Sequence, residues 1–256
     1  MLSVTDGASV EALTEGEGAA GNLAIISDRV DLQNRGRLTV SGQGKFSAGN
    51  LDVTANEILL VDQSLIEANT ESGSSGNITL NTQDLLLLRR NSSIRTNATG
   101  TATGGNIAIN APNGFLIAVP EENSDITANA FEGRGGRVEI EARGIFGFVS
   151  RSSAELSQLL GTNDPSQLDP ARLPTNDITA ISQTNPALSG EVIIDTPETG
   201  PTTEAVELPA VLTETEVAQG CRIDDDRAQN TFVITGRGGC RLFLKRPLTV
   251  AILMWG

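Results

Sequence analysis

The sequence predicts an all-β chain wound as a right-handed parallel β-helix of three strands per coil, and three observations carry that expectation. A glycine followed at its second and fourth places by apolar residues recurs six times, the recurrences are about thirty residues apart, and apolar and polar side chains alternate within each interval. Alternation with a period of two belongs to strands, because successive side chains point to opposite faces. Self-similarity at a fixed period marks units that cannot bury an apolar face alone and must stack on one another. A β-sandwich also has short strands divided by turns, yet it gives no reason for matched offsets from one glycine in successive segments.

The first strand of each coil follows the glycine. Leu23 and Ile25 follow Gly21, Leu51 and Val53 follow Gly49, Ile78 and Leu80 follow Gly76, Ile107 and Ile109 follow Gly105, Val138 and Ile140 follow Gly136, and Val192 and Ile194 follow Gly190. The spacings are 28, 27, 29, 31 and 54 residues, so one long insertion interrupts a steady period. A second apolar pair stands nine and eleven residues after the glycine, at Val30 and Leu32, Ile58 and Leu60, and Leu85 and Leu87, then one step late at Phe115 and Ile117. A third pair closes each coil at Leu38 and Val40, Ile66 and Ala68, Ile94 and Thr96, Ile126 and Ala128, and Ile178 and Ala180; Val10 and Ala12 fit the same place before Gly21. Leu2 and Val4 fit the second strand of a coil, so the chain is expected to begin in mid-repeat, as the C-terminal part of a longer array. At about 4.8 Å per coil, the stack would be about 25–30 Å long. The right hand is expected from the twist that fixes parallel crossovers.

Asn22, Asn50, Asn77 and Asn106 follow the glycine in four coils and are expected to form a hydrogen-bonded ladder that serves stability. The glycine itself is expected to supply a backbone conformation that residues with a Cβ avoid. The asparagine rule fails at Arg137 and Glu191, beside the insertion and the approaching end of the stack, and any function beyond stacking is expected there first.

These patterns divide the chain into a β-helix over residues 1–197, interrupted by a corner insertion at about 149–176, and a linker and capping tail over 198–256. Within the insertion, Ser153 to Leu160 reads as a short helix, and Pro165, Pro170 and Pro174 rule out regular structure after it. Solenoid insertions gather on one face, sometimes the binding face, and a plain lid over neighbouring coils is an equal reading. In the tail, Glu214 to Gln219 suggests a turn of helix and Thr231 to Thr235 a last strand, which would cover the open end of the stack.

With 18 basic against 32 acidic residues, a net charge of −14 and a pI near 4.4, the composition argues against nucleic acid as a partner. No apolar stretch is long enough to span a membrane as a helix, and the first residues lack the basic-then-apolar pattern of a signal peptide. Cys221 and Cys240 leave a disulfide and a free pair equally open, and two cysteines without histidine do not specify a metal site.

The absence of His and Tyr removes the usual hydrolytic triad and the commonest acid–base residue. Carboxylates remain, but the outward places of the first-strand column hold Ala24, Asp52, Thr79, Ala108, Glu139 and Ile193, two acids three coils or about 14 Å apart. A glycosidase pair needs a separation of about 5–10 Å. Asp224, Asp225 and Asp226 read as a solvated acidic run rather than a Ca²⁺ site. Gly42 to Lys45 lacks the first glycine of a phosphate loop, because Thr39 stands there, and Gly133 to Gly136 precedes a strand rather than a helix. Asn77-Ile78-Thr79 and Asn97-Ala98-Thr99 match the glycosylation triplet, a frequent accident in such a sequence. No catalytic, cofactor-binding or metal residue is therefore assigned.

The glycine-asparagine starts, the run Asp84 to Ser92, the stretch Asn123 to Ala130, and the tail pieces Ala218 to Cys221 and Phe232 to Gly239 resemble the C-terminal region of cyanobacterial filamentous-haemagglutinin-like exoproteins. The resemblance covers nearly the whole chain, to about Gly239, beyond which Cys240 to Gly256 reads apolar and basic where relatives are Pro-rich, as a reading-frame scar would leave it. It implies a right-handed β-helix rod, export through an outer-membrane two-partner-secretion transporter, and an extracellular or cell-surface location as an adhesin-like protein. It implies no catalytic residues. The expected function is a non-enzymatic stalk or adhesin segment that engages glycans or neighbouring cells. The alternatives are a carbohydrate-active β-helix enzyme, which three or more carboxylates on one outer face would favour, and a purely structural cap of a longer rod.

Overall fold

The computed structural model describes residues 1–14, 20–42, 48–70 and 76–197, and these wind as a parallel β-helix of about six coils. Strands β1 (Leu2–Val4) and β2 (Ser9–Thr14) precede a coil made of β3 (Leu23–Ile26), β4 (Arg29–Gln33) and β5 (Arg37–Gly42). The following coils contribute β6 (Leu51–Val61) and β7 (Leu65–Thr70), β8 (Ile78–Arg89) and β9 (Ser93–Ala98), then β10 (Ile107–Ala118) and β11 (Ile126–Thr127). After β12 (Arg137–Phe146) and β13 (Val149–Ser150) come the helix α1 (Ser153–Leu160), β14 (Asp177–Thr179) and β15 (Glu191–Asp195). The predicted tail elements, both cysteines, the Asp224–Asp226 run and most of the Gly42–Lys45 loop lie outside the described residues.

Two parallel sheets enclose the core. The first runs β1-β4-β6-β8-β10-β12-β15 with β3 also beside β6, and the second runs β2-β5-β7-β9-β11-β14-β13. The first-strand apolar residues stack in one column, Leu23, Leu51, Ile78, Ile107, Val138 and Val192. The third-strand column, Val10, Leu38, Ile66, Ile94, Ile126 and Ile178, faces it from the second sheet. Val4, also in register, pairs with Leu32. The three strands of a coil are separate only around β3 and β4. From β6 onward the first two join into one bent strand whose register slips at the bend.

That bend moves the second apolar pair. Leu86 and Leu88, not Leu85 and Leu87, are fully buried and pair with Ile58 and Leu60; in the next coil Leu116 and Ala118, not Phe115 and Ile117, point inward. The corner takes one more residue in β8 than in β6 and another in β10, so a fixed offset from the glycine fails there. Thr82 closes the enlarged corner, its hydroxyl lying 2.8 Å from the Asn56 carbonyl oxygen and 3.1 Å from that of Leu85.

The asparagine ladder forms as the sequence suggested. The Asn22 side-chain oxygen accepts from the Asn50 backbone N–H at 2.8 Å, Asn50 accepts from Asn77 at 3.1 Å, and Asn77 from Asn106 at 3.0 Å. Asn106 accepts from the Arg137 N–H at 3.0 Å, after which arginine offers no oxygen to carry the row on.

The glycine column has a different cause from the one expected. No left-handed φ occurs at Gly21, Gly49, Gly76, Gly136 or Gly190; instead, a Cβ on Gly76 would lie 2.2 Å from the Gly49 carbonyl oxygen, and one on Gly136 1.9 Å from that of Gly105. Close approach of successive coils, not backbone freedom, excludes side chains here.

Left-handed residues occur at the corner joining the sheets. Asn34 and Arg35, Asp62 and Gln63, and Arg90 and Asn91 all have positive φ, between 48° and 66°, and the second of each pair donates its N–H to the coil above. A non-glycine residue in this region costs about 1–2 kcal/mol. Gln63, with φ 62° and an exposed side chain, should therefore accept glycine: Gln63→Gly should raise stability by up to about 1 kcal/mol, net of the added freedom of the unfolded chain, in urea titration.

Candidate functional site

The insertion builds the one feature that departs from a plain prism. After β13 the chain leaves the sheets, folds over residues 151–176, and returns to place β14 between β11 and β13. Helix α1 spans the predicted residues because its ends are specified: Ser152 and Glu155 form a reciprocal capping box, and Gly161 ends it with φ 65°. Two aspartate-proline turns come next, in which Asp164 and Asp169 accept from the backbone N–H groups of Ser166 and Ala171. Leu156 and Leu168 of this segment pack with Ile181 in a small core of their own. The Asn176 amide fastens the return, donating to the Val119 and Gly147 carbonyls at 2.9 and 2.8 Å while its oxygen accepts from the Ser124 N–H at 2.8 Å.

A cleft of about 420 Å³ lies between this segment and the outer face of the second sheet. Its floor is made of residues that alternate with the inward column: Ser93 and Arg95 flank Ile94 on β9, and Asp125 and Thr127 flank Ile126 on β11, with Asn129 beyond. Asp169 and Ala171 form the wall contributed by the insertion, and Phe131 and Gln183 complete it. Arg95 pairs with Glu67 of the neighbouring coil.

Asp125 is 4% exposed. One of its oxygens accepts from the Asp177 N–H at 2.8 Å. Burial pushes its carboxyl up to about 7, opposed by that hydrogen bond and reinforced by the charges of Asp177 and Asp169. A carboxyl with a raised folded pKa favours the native state fully below its unfolded value near 3.8, and loses that contribution as pH rises through about 7. Asp125→Asn should therefore gain stability relative to the parent between pH 4 and 8. Urea titrations across that range check it, and a constant difference would contradict the assignment.

Asp177 itself is fully buried and held by Arg151 Nε at 2.7 Å and the Thr175 hydroxyl at 2.8 Å. Asp125 and Asp177 take equivalent places one coil apart, each preceding an inward isoleucine, while Asp169 approaches from the insertion. Sequence reasoning named none of these as site residues. The signal was present in the third-strand alternation, whose outward members follow from the inward pair, but only the first-strand column was read for acids.

The residues singled out from sequence do other things. Asp52 and Glu139 occupy the expected outward column, in register with Thr79 and Ala108 between them, and do not converge. Arg137 lies 3.4 Å from Glu139 and, with Glu191, borders a shallower glycine-lined depression at the end of the asparagine ladder. Gly133, Gly135 and Gly136 lie against neighbouring backbone that a Cβ would strike. The Asn77 amide belongs to the ladder, donating to Asn50 at 3.2 Å. Among the described residues no group of three or more His, Cys, Asp or Glu is arranged to hold a metal ion, and no helix is long and apolar enough to cross a membrane. No protein-family model, curated protein or solved structure matches this chain.

Proposed function

We propose that this chain is a rod segment of a secreted or cell-surface β-helix protein of the filamentous-haemagglutinin-like kind, exported through an outer-membrane two-partner-secretion transporter, whose side engages glycans. The observation that carries this reading is the architecture: coils joined by sheet pairing and an asparagine ladder, with a polar cleft raised on one flank by an insertion. A stack of this kind has the mechanical continuity of a stalk, because each coil contacts its neighbours and transmits load through parallel backbone hydrogen bonds. The purified protein applied to an array of plant, bacterial and algal polysaccharides should retain at least one of them. Retention of none counts against the adhesive part of the reading.

One observation favours a second reading. Asp125, with its raised pKa, and Asp169 line the same cleft, so the carbohydrate-active alternative gains a pair of carboxylates that the first-strand column did not offer. Release of new reducing ends or unsaturated products from the same polysaccharides would establish it in place of the stalk.

A further inference from the structure

We infer that the cleft between β9, β11 and the insertion is a saccharide-binding site, taking a hydroxyl-rich sugar ring through Arg95, Asp125, Thr127 and Asn129 with Phe131 as an apolar platform. The inference rests on the glycan-engaging reading above and gives it a place and a chemistry.

Buried polar groups normally have partners, and those that lack them in a cleft mark where something else is received. Asn129 places its side-chain oxygen within 3.0 Å of the Thr179 hydroxyl and 2.9 Å of the Ile181 N–H, which orients the amide and leaves its Nδ2 donors without a partner among the described residues. Asp125 spends one oxygen on the Asp177 N–H, and its other oxygen has no protein donor among them. Thr127, over nine-tenths buried, has a hydroxyl equally without a partner there. Three side chains from one strand and its extension thus offer a donor pair, an acceptor and a group that is both, toward one volume.

The balance of this set selects the ligand class. A phosphate or sulfate would meet Arg95 already paired with Glu67, and would face Asp125 and Asp169. A purely apolar ligand would strand the amide and hydroxyls, at a cost of about 1–3 kcal/mol for each lost partner. Sugar hydroxyls donate and accept at once, so they can satisfy an amide N–H, a carboxyl oxygen and a threonine hydroxyl together. The half-buried Phe131 supplies an apolar surface for the C–H face of a ring. The volume lies within the range of about 300–1,000 Å³ that small-molecule sites occupy.

The test uses the full chain and the same polysaccharide array, with affinities then measured by calorimetry for each polysaccharide retained. Ala171→Trp places an indole into the cleft from an exposed position on its wall, and Asp125→Asn changes the carboxyl while keeping an oxygen for the Asp177 N–H. Both variants should unfold as cooperatively as the parent. Ala171→Trp should abolish binding and Asp125→Asn should weaken it at least about tenfold, whereas Asp52→Asn on the other sheet should leave it unchanged. If the parent and Ala171→Trp bind the same polysaccharide equally, the cleft is not the site although the adhesive reading stands. If the parent binds none of them, both are overturned.

Discussion

Gly136→Ala should lower the unfolding midpoint by about 6–12 °C, while Gly21→Ala should leave it within about 2 °C. The two glycines hold the same place in the repeat and read alike in sequence. Their surroundings differ completely. A Cβ on Gly136 would lie 1.9 Å from the Gly105 carbonyl oxygen and 3.1 Å from the Ala128 Cβ, whereas one on Gly21 would have nothing within 4 Å. The obstacle is backbone, so no rotamer change relieves it. Moving the coil away would stretch the Arg137 N–H bond to Asn106 and the strand pairing of β12 with β10. Overpacking in a constrained interior costs about 1–3 kcal/mol and sometimes more, and this contact belongs at the upper end. At about 2–4 °C per kcal/mol for a chain of this size, that gives the stated shift. Scanning calorimetry on both variants checks it. Equal midpoints would mean that coil spacing does not dictate the glycine, and would return the explanation to backbone conformation.

The same pair shows what the sequence could and could not reveal. Period and alternation are local, and they placed the first-strand and third-strand columns correctly through all six coils, because each pair is measured along a single strand. The offset to the second pair crosses a corner, where an added residue changes nothing in composition but exchanges inside for outside. Leu85 to Leu88 are four leucines in a row, so hydrophobicity could not say which two point inward, and the register with Ile58 and Leu60 decided it. The cleft was hidden for a different reason. Its floor was legible from the alternation around Ile94 and Ile126, but its wall comes from residues more than forty positions later in the chain, and only the return of β14 beside β11 brings them together.

That return depends on a buried charge, which leads to a second large effect. Arg151→Ala should cost about 3–5 kcal/mol at pH 7, because it leaves the Asp177 carboxylate without its cation in a place closed to solvent. Asp177→Asn should cost less. The Thr175 hydroxyl can still donate to the amide oxygen, and Arg151, at 17% side-chain exposure, can turn toward water. The double variant should be more stable than Arg151→Ala alone, since the unpaired charge is gone. The pH effect has a definite sign. Without Arg151, burial raises the folded pKa of Asp177 above its unfolded value, so the penalty is full at high pH and shrinks as the carboxyl takes up a proton on acidification. Urea titrations of the three variants at pH 4.5 and 7.5 measure both comparisons. Hydrogen exchange should locate the loss in residues 151–181 while β6 to β10 keep the parent's protection, because the insertion carries its own small core around Leu156, Leu168 and Ile181. A uniform loss of protection through all coils would instead make the insertion an integral part of the stack's cooperative unit, and the cleft wall as rigid as its floor.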